Sequence, residues 1–254
     1  MSQALHNAAS GIRAMQQRID TIADNLANLS TTGFKARRQD FADALSSAMQ
    51  NPAQPGGVSP VNLQLGHGVR TSPEVVDPGC GPLETTGNPL DLALEGAGFF
   101  MVETADGKVT YTRDGALRQT TQDGRNYLVT AGGQYVLDQN QARIASTQSL
   151  DTARIDPSGQ IQMPDGTSFR LGVVQFADPG SLIRLGQNLY QPGAASGEPV
   201  AATATVRQGA LEGSNVSLAG EMTRLMQTQR AYSLLSRALT TADEMRANEN
   251  DIRR

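Results

Sequence analysis

The N-terminal run Leu5, Ala8, Ile12, Met15, Ile19, Ile22, Leu26 and Leu29 constrains this chain more than any other feature. Its apolar positions alternate in steps of three and four residues without a miss, which is the spacing of a heptad seam. Gln16, Gln17, Arg18, Asp20, Asp24 and Asn25 fall between them, so a single narrow stripe is apolar and the rest of the helix is polar. Ser30, Thr31, Thr32 and Gly33 then stop the helix, because hydroxyl side chains compete for backbone hydrogen bonds and glycine can enter the left-handed region. A solitary helix of this kind, with Gly11 in its interior, is marginal in water. The seam therefore requires a partner, either the chain's own C-terminal helix in an antiparallel pair or neighbouring subunits against which the ends become ordered.

A second helical period returns near the other end. Leu218, Met222, Leu225, Tyr232, Leu235, Leu239, Ala242 and Met245 advance at close to one helical turn, with Gln229 inside the stripe and Ser214 as a plausible N-cap. Between the ends the pattern is β-rich. Short runs such as Val109 to Arg113, Tyr127 to Thr130, Tyr135 to Asp138 and Ser168 to Ala177 carry aromatic and β-branched residues. They are separated by Asp106-Gly107, Asp114-Gly115, Asp123-Gly124, Gly132-Gly133, Ser158-Gly159 and Asp165-Gly166, which read as hairpin turns. Residues 39–50 are compatible with a short helix that puts Phe41, Leu45 and Met49 on one face, residues 51–68 read as an irregular Pro/Gly connection, and residues 191–204 as an exposed loop. The fold class is α+β: a mostly-β central domain flanked by N- and C-terminal amphipathic helices that form a coiled-coil region. The segments are residues 1–30, a linker over 31–68, the β domain over 69–213, and 214–254 as the second helix with a polar tail.

Charge narrows the function. The net charge of -4 argues against a nucleic-acid partner, which requires concentrated positive charge to displace counterions from phosphate. No apolar run is long enough to insert into a membrane. The first basic residue is Arg13 and polar residues interrupt the N-terminus, so no cleaved secretory signal is expected. The lone Cys80 offers no internal disulfide.

Catalytic, cofactor and metal sites are not expected. His6 and His67 have no companions at metal-ligand spacing, and no nucleophile elbow is present. Gly96-Ala-Gly98 and Gly107-Lys108 lack the remaining residues of phosphate-binding loops. Asp138-Gln-Asn140 begins like a calcium loop, but Ala142 and Arg143 occupy positions that need an oxygen ligand and a glycine. Asn28-Leu-Ser30 and Asn215-Val-Ser217 fit a glycosylation pattern but sit at helix ends, where such residues have structural reasons to occur. Lys35, Arg37 and Arg38 read first as a solvated charge cluster, with a specific anionic contact as the alternative.

Several motifs in order carry a resemblance. Asp24-Asn-Leu-Ala-Asn-Leu-Ser-Thr-Thr-Gly-Phe-Lys35, with Asn25, Leu26, Asn28, Thr32, Gly33, Phe34 and Lys35 as its matched positions, resembles the N-terminal signature of bacterial flagellar rod and hook proteins. Gly213-Ser-Asn-Val216, Gln227-Thr-Gln-Arg-Ala-Tyr232 and Thr241-Ala-Asp-Glu-Met245 are similar to its C-terminal signature, with Gln227, Gln229, Arg230 and Tyr232 at matched positions. Thr86 to Leu94, Gly98-Phe-Phe100 and Tyr111-Thr-Arg-Asp-Gly115 resemble its β domain, and Gln64 to Arg70 is most like the distal-rod branch rather than the proximal one. The Ala219-Gly220 pair and the polar tail after Met245 depart from the pattern.

The resemblance implies a structural subunit of the flagellar basal body, not an enzyme. It would leave the cytoplasm through the flagellar type III export apparatus and assemble with itself and with other rod and hook subunits into a hollow helical rod that transmits torque from motor to hook. The family arrangement places both terminal helices in an inner coiled-coil tube, with the β domain outside. Lys35 to Arg38 would then begin the connection toward the acidic middle of the same or an adjacent subunit, so charge reversal at Arg37 and Arg38 is expected to weaken polymerisation. A β-domain binding module dimerised by its terminal helices is the rival reading from a different class.

Overall fold

The computed structural model describes residues 2–43, 46–49, 63–66 and 68–252. They form two compact units. One comprises Met1–Leu26, Arg37–Glu74 and Leu218–Arg254; the other comprises Ala27–Ala36 and Val75–Ser217. This division differs from the four segments read along the sequence, because residues 37–74 group with the helices.

In the first unit, helix α1 spans Ser2–Ala27 and helix α2 spans Leu218–Ile252. They run antiparallel: Gly11 faces Leu235, whereas Arg18, Thr21 and Ile22 share a cleft with Glu221 and Arg224. A Cβ added to Gly11 would lie 3.3 Å from Leu235 Cδ1, so the small residue admits a close helix approach. Helix α2 begins after Ser217, so Ser214 does not cap it; its hydroxyl accepts from the Val216 N–H upstream of the helix.

The described residues within 39–50, namely 39–43 and 46–49, are not helical. Phe41–Asp43 pairs antiparallel with Val69–Thr71, and Ser46–Met49 pairs with Leu63–Gly66. A helix of that length is marginal alone, and here its backbone groups are engaged by another segment; Ser72 N–H also donates to Asp40 O at 2.9 Å. Of the residues expected on one helical face, Phe41 instead lies under the Arg18 guanidinium, 5.3 Å from ring centroid to Cζ, and Leu45 lies outside the described residues.

The second unit is built on a ten-stranded antiparallel sheet. Its main path runs Leu117–Gln122, Arg125–Thr130, Tyr135–Val136, Phe99–Glu103, Val109–Thr112, Leu189–Gln191 and Ile183–Gly186. Phe99–Glu103 is central and covered on both sides. Phe100 and Val102 join a core with Leu92, Leu117, Leu128 and Ile161, while Phe99 and Met101 join a second core with Tyr111, Phe176 and Tyr190. Alternation of side chains along the strand makes these opposite faces of one sheet. Edge-to-face packing fastens the second core, with ring centroids 4.9 Å apart for Tyr111 and Phe176 and 5.5 Å for Phe99 and Tyr190.

Most expected turns occur where glycine supplies the backbone geometry. Asp123 and Gly124 both have positive φ, at 51° and 74°, and join Leu117–Gln122 to Arg125–Thr130 as a two-residue hairpin. Asp114-Gly115 is different. It joins Val109–Thr112 to Leu117–Gln122, which lie in the same sheet but do not pair with each other, and Leu92 N–H donates to Gly115 O. The run Ser168 to Ala177 is broken at Gly172, whose N–H donates to Leu137 O, into Ser168–Arg170 and Val173–Gln175, which pair in different sheets. The loop over residues 191–204 contains the short strand Val200–Ala201.

Candidate functional site

Two features stand out, a buried polar node in the β unit and the surface of the helical unit. At the node, Glu212 is 2% exposed and its strand Ala210–Glu212 pairs with Leu83–Thr85. Its Oε1 accepts from Lys35 Nζ at 2.7 Å and from Gly81 N–H at 2.9 Å, and its Oε2 accepts from Arg113 Nε at 2.5 Å. Arg113 also donates to the carbonyls of Leu94, Gly96 and Gly98. Lys35 also donates to Gly79 O at 2.8 Å. Two cations and one anion are thus buried together, each satisfied by charge-assisted hydrogen bonds.

Burial pushes the Lys35 ammonium below the ordinary lysine value, against the opposing pull of Glu212. For Glu212, burial acts upward, but Arg113 and Lys35 together hold the carboxyl below the ordinary glutamate value.

Backbone contacts tie the same two segments. Gly33 N–H donates to Glu212 O at 2.7 Å, Ala36 N–H to Asn215 Oδ1 at 2.6 Å, and Asn215 N–H to Phe34 O at 3.5 Å. Gly33 has φ +65°, and a Cβ there would meet the Arg113 carbonyl carbon at 2.6 Å, so both conformation and space demand glycine. Phe34 is fully buried beneath the Arg184 guanidinium. Thr32 donates to Asp114 Oδ1 at 2.8 Å, and burial raises the Asp114 pKa. Asn28 accepts from the Thr31 hydroxyl. The stretch after α1 and the stretch before α2 are therefore clasped within the β unit.

In the helical unit Asn25 is 1% exposed and makes a reciprocal pair with Arg37: its Nδ2 donates to Arg37 O and its Oδ1 accepts from Arg37 N–H, both at 2.9 Å. The Arg37 guanidinium is ion-paired to Asp24 and Glu74. Burial acts downward on it, but the two carboxylates outweigh this and hold its pKa above the ordinary arginine value. The basic cluster is therefore not a solvated one. Lys35 and Arg37 each hold anions inside a unit, and only Arg38 is exposed.

The seam does not coincide with the covered face of α1. Gly11, Ala14, Thr21, Ile22 and Asn25 are buried, a set roughly a quarter-turn from the seam centre. Ala8, Ile12, Met15, Ile19, Leu26 and Leu29 are only half-buried, Ile22 alone belongs to both sets, and the side chain of Leu5 lies outside the description. On α2, Leu225, Tyr232, Leu235, Leu239 and Ala242 are half-buried, whereas Gln227, Gln229 and Arg230 are exposed. Leu218, Met222, Met226, Leu234 and Met245 are 45 to 63% exposed. The antiparallel pair forms, yet it leaves much of both apolar stripes uncovered.

Glu212 and Arg113 escaped the reading of the sequence as partners of Lys35. The available signal was adjacency: Arg113 lies inside Tyr111-Thr-Arg-Asp-Gly115, Gly98 opens Gly98-Phe-Phe100, and Glu212 immediately precedes Gly213-Ser-Asn-Val216. Four motifs remote in sequence meet at one point. Among the described residues, no group of three or more His, Cys, Asp and Glu is placed to hold a metal, and no helix is long and apolar enough to cross a membrane. His67 lies outside the described residues.

Comparison with known proteins places these features. Residues 5–35 match the family model described as flagella basal body rod protein, residues 93–168 the flagellar hook protein FlgE/F/G D1 domain, and residues 207–252 the flagellar basal body rod FlgEFG protein C-terminal region. The chain is 34% identical to a flagellar basal-body rod protein FlgG of Borreliella burgdorferi, with all of both chains covered. It is 36% identical to the FlgG of Agrobacterium fabrum, with 96% of each chain covered. It is also 32% identical, over all of both chains, to a flagellar hook-basal body complex protein FlhP of Bacillus subtilis.

Proposed function

The chain belongs to the bacterial flagellar basal-body rod family, whose members are structural rod proteins, and on that premise we propose that copies of it assemble into the distal part of the hollow rod. One observation carries the assembly reading: on α2 Leu218, Met222, Met226, Leu234 and Met245 stay 45 to 63% exposed, and the α1 seam stays only partly covered, although the helices already pack on each other. Exposed apolar surface of this extent on a helix pair is the mark of a protein contact. In the assembled state the seam from Leu5 to Leu29 and the stripe from Leu218 to Met245 line a coiled-coil tube, and other rod and hook subunits continue it above and below. The tube is part of the path of flagellar export, and the chain itself reaches the basal body through the type III apparatus.

Family resemblance at Gln64 to Arg70 and the FlgG relatives favour the distal position. The similarity to FlhP over the full chain supports a second reading, a paralogous position in the same rod.

Sedimentation of the full chain over a range of concentrations tests assembly. Open helical polymers are expected, and a closed dimer at all concentrations would establish the binding-module reading instead. Hydrogen exchange adds the location: amides of α1 and α2 gain protection on polymerisation, whereas those of the β unit, already protected in the monomer, change little. Charge reversal at exposed Arg38 is a cleaner probe of the basic cluster than reversal at Arg37, which would also break pairs within the subunit.

A further inference from the structure

A cleft of about 190 Å³ opens in the helical unit between α1, residues 37–41 and the start of α2. Its wall includes Arg18, Thr21, Arg37, Gln39, Glu221 and Arg224. Three polar atoms in it, Arg37 Nε, Gln39 Oε1 and Glu221 Oε2, are buried and make no hydrogen bond among the described residues. Glu221 is only 3% exposed, and its other oxygen is taken by Arg224 at 2.7 Å. Buried polar atoms are nearly always paired in native proteins, so three orphans in one cleft call for a group supplied from outside.

The chemistry of that group follows from the atoms left over. Two acceptors and one donor need a group that both donates and accepts at short range. An added carboxylate would face Glu221 Oε2 and Gln39 Oε1, and an added cation would face Arg18, Arg38 and Arg224. A neutral carboxamide avoids both conflicts: its NH2 donates to the acceptors and its oxygen accepts from Arg37 Nε.

The chain itself displays such a group in a suitable setting. Leu218, Met222, Met226 and Gln229 are exposed and lie at i, i+4, i+8 and i+11 on α2, one face of the helix. One polar residue in an otherwise apolar contact stripe is the device that fixes register between helices. We propose that the cleft is a socket for a second copy of the chain and that Gln229 of that copy is the side chain it receives, with Met222 and Met226 closing over Ile22 and Phe41. This rests on the assembly reading above and adds to it the subunit contact that sets the stagger.

The test uses full chains with Cys80 replaced by serine. Gln39→Cys in one chain and Gln229→Cys in another are mixed, polymerised and treated with a short bismaleimide. A covalent dimer is expected only in the mixture and only under polymerising conditions. In parallel, Gln229→Ala raises the critical concentration for polymerisation roughly tenfold, as expected from leaving a buried hydrogen-bonding group unmatched, while Gln162→Ala on the β unit leaves it unchanged. Thermal melts of the monomers confirm that each variant folds. If the mixture, taken above its own critical concentration, polymerises but gives no crosslinked dimer, or if Gln229→Ala polymerises like the parent, solvent fills the cleft and the socket is refuted. If the parent chain never polymerises, the assembly reading itself fails, which is a distinct result.

Discussion

The two units handle buried polar groups in opposite ways. The β unit closes on itself: both faces of Phe99–Glu103 are covered, and the charged node of Lys35, Arg113 and Glu212 is fully partnered. The helical unit pairs its helices and still leaves Met222, Met226 and Leu234 half or more exposed, and Arg37, Gln39 and Glu221 with unmatched atoms. A closed charged node in one unit and unmatched polar atoms beside an exposed apolar helix stripe in the other separate what a subunit needs in order to fold from what it offers to its neighbours, although the β unit also exposes Ile183, Leu185 and Val200. The family signatures divide accordingly. Thr32 to Lys35 and Gly213 to Val216 serve the fold of the β unit, whereas Gln227, Gln229 and Arg230 face outward.

The severest test of this contrast is Glu212→Ala. It strands two buried cations, and the expected loss is about 3–5 kcal/mol of stability, read from the near-ultraviolet dichroism of the β-unit tyrosines during urea unfolding. A loss below 1 kcal/mol would show that the node is not closed as described. The same carboxylate fixes the sign of the acid response. Its folded pKa lies below the ordinary 4.5, so its stabilising contribution is complete above that value and is lost as pH falls through the folded pKa. Asp114 is raised and acts in the opposite sense. In Glu212→Gln the acid limb of the urea midpoint should therefore be shallower than in the parent.

Gly33→Ala is expected to cost about 2 kcal/mol, from the left-handed backbone and the close Arg113 carbonyl, measured by the same unfolding experiment. Met226→Gln keeps helix propensity and removes exposed apolar surface. Monomer stability should move by less than about 0.5 kcal/mol, while the critical concentration for polymerisation rises. An equal effect on both would erase the distinction between folding and assembly surfaces. The smallest effect is expected at Glu103→Gln. Its pairing with the half-exposed Arg143 lowers the Glu103 pKa, but such pairs contribute less than about 1 kcal/mol, and salt titration should abolish the difference.

Much of this was legible in the residues. The heptad spacing from Leu5 to Leu29 announced α1, and its stop fell at Ala27, just before the Ser-Thr-Thr-Gly run. Asp123-Gly124, Ser158-Gly159 and Asp165-Gly166 marked real hairpins because positive φ at glycine is a local requirement that needs no distant partner. The short helix expected over residues 39–50 is replaced by strands at residues 41–43 and 46–49 for the converse reason. Nothing local opposes helix there, and the strands exist because Val69–Thr71 and Leu63–Gly66 come alongside. The basic cluster misled similarly: a run of cations looks solvated until the fold brings Glu212, Asp24 and Glu74 to it.

By itself, the sequence determined the two amphipathic helices, the β middle, the turn positions and, through motifs in a fixed order, the family. Each depends on periodicity or on a residue's own backbone preferences, which act over a few residues. Only the tertiary structure decided which side of α1 is covered, that Lys35, Arg113 and Glu212 share one buried node, and that unmatched polar atoms collect beside Glu221. Those outcomes depend on burial and charge pairing between segments as much as 177 residues apart, and the strength of both is set by proximity that no local pattern encodes.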